Sequence, residues 1–219
     1  ILRPATGEFG TAPDSADARL WDNRGMSCTP PITGLVLAGG LGRRMGGVDK
    51  GLQLLDGQRL VDRVIGRLMP QVDALLVNAN RNLDVYAELG HPLVVDRFEG
   101  FVGPLAGIHA GLTACTTPWL AVVPCDAPFL PLDLVVRLRA ALESQAAHIA
   151  VARTADGLQP TFALMHRDAL ASLTDYLATG GRRLRDWYQT LPLAIIDFAD
   201  AEAFTNLNSP AELAASSRV

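Results

Sequence analysis

From Ile32 onward the chain alternates short, wholly apolar runs with segments whose apolar residues recur every three or four positions. "ITGLVLA" (32–38) is a continuous run suited to a strand buried on both faces. Leu60, Val61, Val64, Ile65, Leu68 and Met69 then fall at helical spacing, and Pro70 closes that helix. "DALLVNAN" (73–80) and "HPLVVD" (91–96) read as the second and third strands. Leu105, Ile108 and Leu112 mark a helix that begins through Gly103 and Pro104. "WLAVVPCD" (119–126) is a further buried strand, followed by a helix from about Leu132 to Leu142. Such alternation predicts an α/β fold with a mostly parallel sheet, covered by helices on both faces as an α/β/α sandwich. Right-handed crossovers bring the carboxyl ends of parallel strands to one edge, where open α/β sheets bind their ligands. "LAGG", "VNAN", "VVD" and "PCD" all end strands and are expected to meet there.

The last third is less regular. "LQPTFALM" (158–165) reads as a strand, and Leu170, Leu173 and Leu177 mark a helix beginning near Asp168. "GGRRLRDWY" (180–188) suggests a short helix and "LAIIDF" (193–198) another strand. Ser209-Pro210-Ala211-Glu212 has capping-box spacing with proline at the first helical position, so a final helix starts there. The chain holds no internal repeat or low-complexity linker, and residues 32–219 are expected to form a single domain. Residues 1–31 are mixed in character and without periodicity, and read as a disordered N-terminal tail. They lack the apolar core of a signal peptide, and Met26 marks a natural start within them.

Composition narrows the class of partner. A formal net charge of −4 over 219 residues argues against general binding to nucleic acid or anionic membranes, so any basic site must be local. Cys28, Cys115 and Cys125 are odd in number and widely spaced, which suits a reducing cytoplasm better than a disulfide framework. No apolar run approaches the length of a membrane span.

The stretch "GLVLAGGLGRRMGGVDKG" (34–51) carries the most pointed chemistry. Gly42 and Gly47 have the separation of a Walker A loop, but Val48 and Asp49 stand where it needs Lys and Ser or Thr. Gly40 and Gly42 begin a dinucleotide fingerprint that fails at Met45. Gly39 and Gly40 still allow backbone N–H groups to approach a ligand closely. Arg43, Arg44 and Lys50 add cations suited to phosphate oxygens. A loop of this kind leaving a buried strand at the ligand edge reads as a phosphate site. A solvated turn with incidental basic residues is the competing reading.

Leu37 to Lys50 (L-x-G-G-x-x-x-R-M-G-x-x-x-K) resembles the signature of Rossmann-like nucleoside-triphosphate nucleotidyltransferases. More narrowly, "LAGGLGRRMGGVDKGL", "VNANR", "GPLAG", "PCDAPFLP" and "NLNSPAEL", in that order, resemble the molybdenum cofactor guanylyltransferase family from about Thr33 to Leu213. The resemblance implies transfer of GMP from GTP to the terminal phosphate of molybdopterin, with or without bound molybdenum, releasing pyrophosphate. It also implies a Mg2+ cofactor and a cytoplasmic enzyme that works as a monomer, with at most transient contacts to other proteins of cofactor biosynthesis. Leu37, Ala38, Gly39, Gly40 and Gly47 match the family's nucleotide loop. Arg44 and Lys50 match its triphosphate cations, and a surface ion pair with Asp49 or Asp56 is the alternative for them.

Asp126 matches the magnesium ligand, though a turn or N-cap aspartate fits the same position. Asn78 and Asp96 match further nucleotide contacts and could equally be turn residues. Asn206 and Asn208, with Arg182, Arg183 and Arg185, are candidates for the pterin side, against plain turn chemistry and a solvated helix face. The related family that transfers cytidylate reads Leu-Ala-Ala-Gly at the loop, so Gly39 favours the guanylyl branch. A cytidylyl- or sugar-nucleotide transferase and a silent nucleotide-binding protein remain as alternatives. Trp119 and Trp187 read as core or rim packing, His109 as packing or surface, and Cys125 lacks a base partner that would make it a nucleophile.

Overall fold

A computed structural model describes residues 29–38, 49–98, 103–207 and 210–216. The expected tail therefore lies outside the described residues except for 29–31. In chain order the first half forms β1 (Ile32–Leu37), β2 (Leu54–Leu55), β3 (Gln58–Arg59), α1 (Leu60–Leu68), β4 (Ala74–Asn78), α2 (Leu83–Ala87) and β5 (Leu93–Val94). Next come α3 (Pro104–Ala114), β6 (Trp119–Pro124), α4 (Leu134–Gln145), β7 (Ile149–Thr154) and β8 (Gly157–His166). The chain continues with α5 (Ala169–Ala178), α6 (Leu184–Tyr188), β9 (Leu193–Asp197) and α7 (Pro210–Ser216).

The apolar runs build one seven-stranded sheet in the order β5-β4-β1-β6-β8-β7-β9. β1 pairs in parallel with β4 and β6, and β4 with β5, as continuous apolar strands require. β8 runs against both of its neighbours, β6 and β7, while β7 and β9 are again parallel. Side chains alternate across the sheet and feed two cores. Val36, Val77, Ala121 and Val123 pack with Val61, Val64 and Leu68 of α1 and with Leu134 and Leu138 of α4. Leu35, Leu76, Leu120 and Val122 pack with Leu105, Ile108 and Leu112 of α3 and Leu173 and Trp187 of α5 and α6. The expected three layers follow directly from this alternation.

Two features depart from simple strand-helix alternation. β7 was not among the strands expected from sequence; it is joined to β8 by residues 155 and 156 alone, with no helix between them. The small β2–β3 hairpin turns at Asp56 and Gly57, both with positive φ (49° and 77°), as a two-residue primed turn requires. Its Asp-Gly dipeptide is the usual sequence signal for that turn.

Close approach of α3 to the sheet depends on glycine. A methyl group at Gly111 would run into the Leu35 side chain, and one at Gly107 into Asn78 and Leu37. Trp187 is fully buried and donates from Nε1 to Ser172 (3.2 Å), so it is core, as expected. His109 is also buried, with Nε2 3.1 Å from the Thr174 hydroxyl and its ring edge-on to Phe98. Burial, helped by the nearby Arg97 charge, holds this imidazole below its usual range and so in its neutral form.

Candidate active site

The carboxyl ends of the parallel strands converge as the sequence predicts. Leu37 lies opposite Asn78 of β4 on one side and Pro124 of β6 on the other. The ladder continues for one more step. The Ala38 N–H donates to the Asn78 carbonyl (2.8 Å) and the Cys125 N–H to that of Leu37 (3.1 Å). Backbone hydrogen bonds therefore fix the floor on which the glycine loop begins and where Asp126 emerges. Gly39, Gly40, Arg44 and Gly47 lie outside the described residues.

The chain returns at Asp49, and Lys50 stands in a single 3-10 turn, Lys50–Leu52. Its ammonium lies 3.2 Å from Asp126 Oδ2. Asp126 follows β6 in a turn and is only 8% exposed. Burial pushes its carboxyl above the usual range, and the Lys50 charge pulls it part of the way back. The turn expected at Asp126 is present, and its carboxylate faces Lys50. Asp49 and Asp56, the other ion-pair candidates, are engaged elsewhere: Asp49 with Tyr86, Asn82 and Arg81, and Asp56 with Arg63.

Neighbouring elements pin the segment after Asp126. Arg67 of α1 donates to the Leu130 carbonyl (2.6 Å), and Gln71 to that of Pro131 (3.0 Å). The Asp126 carbonyl accepts the Leu207 N–H (2.8 Å), which brings Asn206 to the same edge. Asn208 lies outside the described residues.

On the other flank, Asn78 is 2% exposed and commits both amide hydrogens within the protein. It donates to the Val94 carbonyl (3.2 Å) and to Asp96 Oδ1 (2.9 Å). The Asp96 N–H in turn donates to Asn80 Oδ1 (2.8 Å). Asn78 therefore orients the half-buried Asp96. Asp96 is the group of the pair that faces outward.

The proposed pterin side is less tightly built. The first residues of β8 run past the end of β6, and Arg185 donates to the Leu158 carbonyl there (2.9 Å). Arg182 donates to the Gly181 carbonyl (2.7 Å), while the Arg183 carbonyl accepts from Tyr176 (3.1 Å). Arg185 thus reaches the start of β8, whereas Arg182 bonds within its own turn. Cys125 is buried, and burial pushes its thiol far above the usual range, which leaves it unreactive.

A divalent cation fits Asp126. Among the described residues there is no cluster of three or more His, Cys, Asp or Glu that would cage a metal. Mg2+ is commonly held by one or two carboxylates, with substrate phosphates and water completing its shell. A nearly buried carboxylate facing one lysine at the ligand edge is a donor of that type.

The sequence reading missed a second cluster behind Lys50. The Tyr86 hydroxyl donates to Asp49 Oδ1 (2.7 Å), Asn82 donates to Oδ2 (2.9 Å), and Arg81 Nε lies 3.5 Å from the same carboxylate. These partners are separated by more than thirty positions, so no local spacing rule links them.

Comparison with known proteins places the chain in a family. Residues 34–194 match the family model described as the MobA-like NTP transferase domain. Two curated relatives carry the name molybdenum cofactor guanylyltransferase. The one from Cupriavidus taiwanensis is 49% identical over 189 residues, covering 84% of this chain and 95% of its own. That from Burkholderia ambifaria is 50% identical over 201 residues, covering 88% and 98%. Among solved structures, molybdopterin-guanine dinucleotide biosynthesis protein A from Archaeoglobus fulgidus superposes with a TM-score of 0.70 at 22% identity. That match covers 84% of this chain and 96% of the other. A matching family model over most of the chain and relatives at about half identity leave one assignment: this chain belongs to the MobA-like NTP transferases.

Proposed function

We propose that the protein transfers GMP from GTP to the terminal phosphate of molybdopterin, forming the guanine dinucleotide form of the molybdenum cofactor. An oxygen of the pterin phosphate attacks the α-phosphorus of GTP, the α–β phosphoanhydride bond breaks, and pyrophosphate leaves. The observation that carries this reading is the Lys50–Asp126 pair, 3.2 Å apart at the strand-end edge, in a chain about half identical to enzymes of that name.

Little covalent chemistry is asked of the protein in such a displacement, and positioning and charge do most of the work. In this reading the Leu37 and Ala38 backbone lies along the nucleotide with Gly39, Gly40 and Gly47. Lys50 and Arg44 offset the charge that builds on the leaving pyrophosphate. Asp96, held by Asn78, contacts the nucleoside. Asp126 holds Mg2+, whose chemistry is to neutralise phosphate charge and align the reacting groups. Asn206 and Asn208, with Arg182, Arg183 and Arg185, stand towards the acceptor. The buried thiols Cys115 and Cys125 suit a reducing compartment, so we place the enzyme in the cytoplasm.

Nucleotide preference tests the reading. Calorimetric titration with Mg2+ is expected to give GTP at least about tenfold tighter binding than CTP, ATP or UTP, a difference that a few base-specific hydrogen bonds supply. Pyrophosphate should appear only when GTP and molybdopterin are both present. A clear preference for CTP would transfer the assignment to cytidylyl chemistry. Binding of GTP without pyrophosphate release would favour a silent nucleotide-binding protein.

A further inference from the structure

We infer that Tyr86 is a positioning residue for Lys50: its buried hydroxyl, together with Asn82 and Arg81, clamps Asp49 and thereby fixes where the next residue presents its ammonium. This rests on the nucleotidyl-transfer reading of the same site.

The clamp grips the chain on both sides of Lys50. On the preceding side, Asp49 is 8% exposed and its carboxylate takes hydrogen bonds from Tyr86 and Asn82, with Arg81 adding charge. On the following side, Gly51 lies so close to the same phenol that a Cβ there would stand 2.5 Å from the Tyr86 oxygen and 3.2 Å from Cys125 Sγ. Cys125 is the chain neighbour of Asp126, so the packing that holds Gly51 also reaches the turn that carries the aspartate. Lysine has a long, freely rotating stem, and its rotamers alone would let the ammonium wander. Anchoring the residues before and after it limits where that stem begins.

The surroundings of Tyr86 suit this task. The ring is fully buried, and burial, with further help from Cys125 and the Asp49 hydrogen bond, pushes the phenol well above its ordinary range. It therefore stays protonated and donates. α2, only five residues long, begins from Asn82 in a left-handed conformation (φ 49°), which turns the Asn82 amide onto Asp49. Left-handed backbone is tolerated by asparagine at modest cost.

A double-mutant cycle on the full chain tests the inference. Affinity for inorganic triphosphate in the presence of Mg2+ is measured by calorimetry in wild type, Tyr86→Phe, Lys50→Ala and the double variant. Tyr86→Phe is expected to weaken binding about fivefold alone but less than about twofold in the Lys50→Ala background, because a clamp that acts through the placement of Lys50 couples to it. Equal losses in both backgrounds, or no loss in either, would overturn the clamp. Gly51→Ala pushes a methyl group against the same phenol and provides a second route should Tyr86→Phe fold poorly; the same dependence on Lys50 is expected. Guanylyl transfer is followed in parallel. A coupled cycle in a protein that transfers no GMP would refute the activity and leave the clamp standing. An uncoupled cycle in an active enzyme would refute the clamp alone.

Discussion

Replacing Asp126 with asparagine is expected to lower GMP transfer by about 10³-fold while leaving the melting temperature unchanged or slightly raised. The two halves of this result have one cause. Burial raises the Asp126 carboxyl above its usual range, so the fold itself disfavours the charge that the site needs. The sign follows: a carboxylate raised by folding is destabilising at pH values where it is ionised, and a neutral amide of the same shape removes that penalty. Lys50 loses the Asp126 contact, but its side chain is 29% exposed and can turn to water. Function, by contrast, loses the Asp126 carboxylate at the Lys50 contact and with it the proposed hard oxygen ligand for a cation. Pyrophosphate release gives the rate, calorimetric scanning the stability, and Mn2+ binding followed by electron paramagnetic resonance the metal affinity. A variant that keeps its activity would remove Asp126 from the mechanism. One that loses activity only by unfolding would show that its charge serves the fold.

Gly107→Ala is expected to weaken GTP binding about tenfold and to lower the melting temperature by about 5 °C. The added methyl would collide with the Asn78 side-chain oxygen and stand 2.8 Å from a Leu37 methyl carbon. Both neighbours belong to the strand-end floor. Asn78 cannot yield without loosening its hydrogen bond to Asp96, and Leu37 cannot yield without shifting the residue that begins the glycine loop. Overpacking of this kind costs about 1–3 kcal/mol in a well-packed interior. Gly66 supplies the control. It lies within α1 and faces open space, so Gly66→Ala should raise stability by about 0.5–1 kcal/mol through helix propensity and leave GTP binding alone. Equal effects on binding from the two substitutions would break the proposed link from α3 to Asp96.

The parts of the fold that were legible in the sequence are those with a local signature. Apolar runs marked β1, β4, β6 and β9, and helical spacing marked α1, α3 and α5. The edge followed from strand ends, and Leu37, Ala38, Asn78, Asp96 and Asp126 share it because parallel strands place their carboxyl ends together, whereas their expected roles came from the family resemblance. β7 was missed because strand-helix alternation led to a helix between neighbouring strands, whereas two residues suffice when the next strand runs back. The division of labour between Asn78 and Asp96 was invisible as well. It depends on which amide hydrogens are already committed, and that is a property of packing. The Tyr86–Asp49 contact joins positions 37 apart through an irregular loop and a five-residue helix, for which no pattern in the chain prepares the reader.

The reversed strand has a consequence for how the molecule assembles. β7 and β8 meet after a turn of two residues, so their pairing closes almost no loop. Joining β1 to β6 instead brings position 32 beside position 119, and the intervening chain must be gathered first. Non-local parallel pairing of that kind is slow, and its ordering cost precedes its reward. The half of the sheet remote from the glycine loop can thus consolidate early, while the crevice takes shape last.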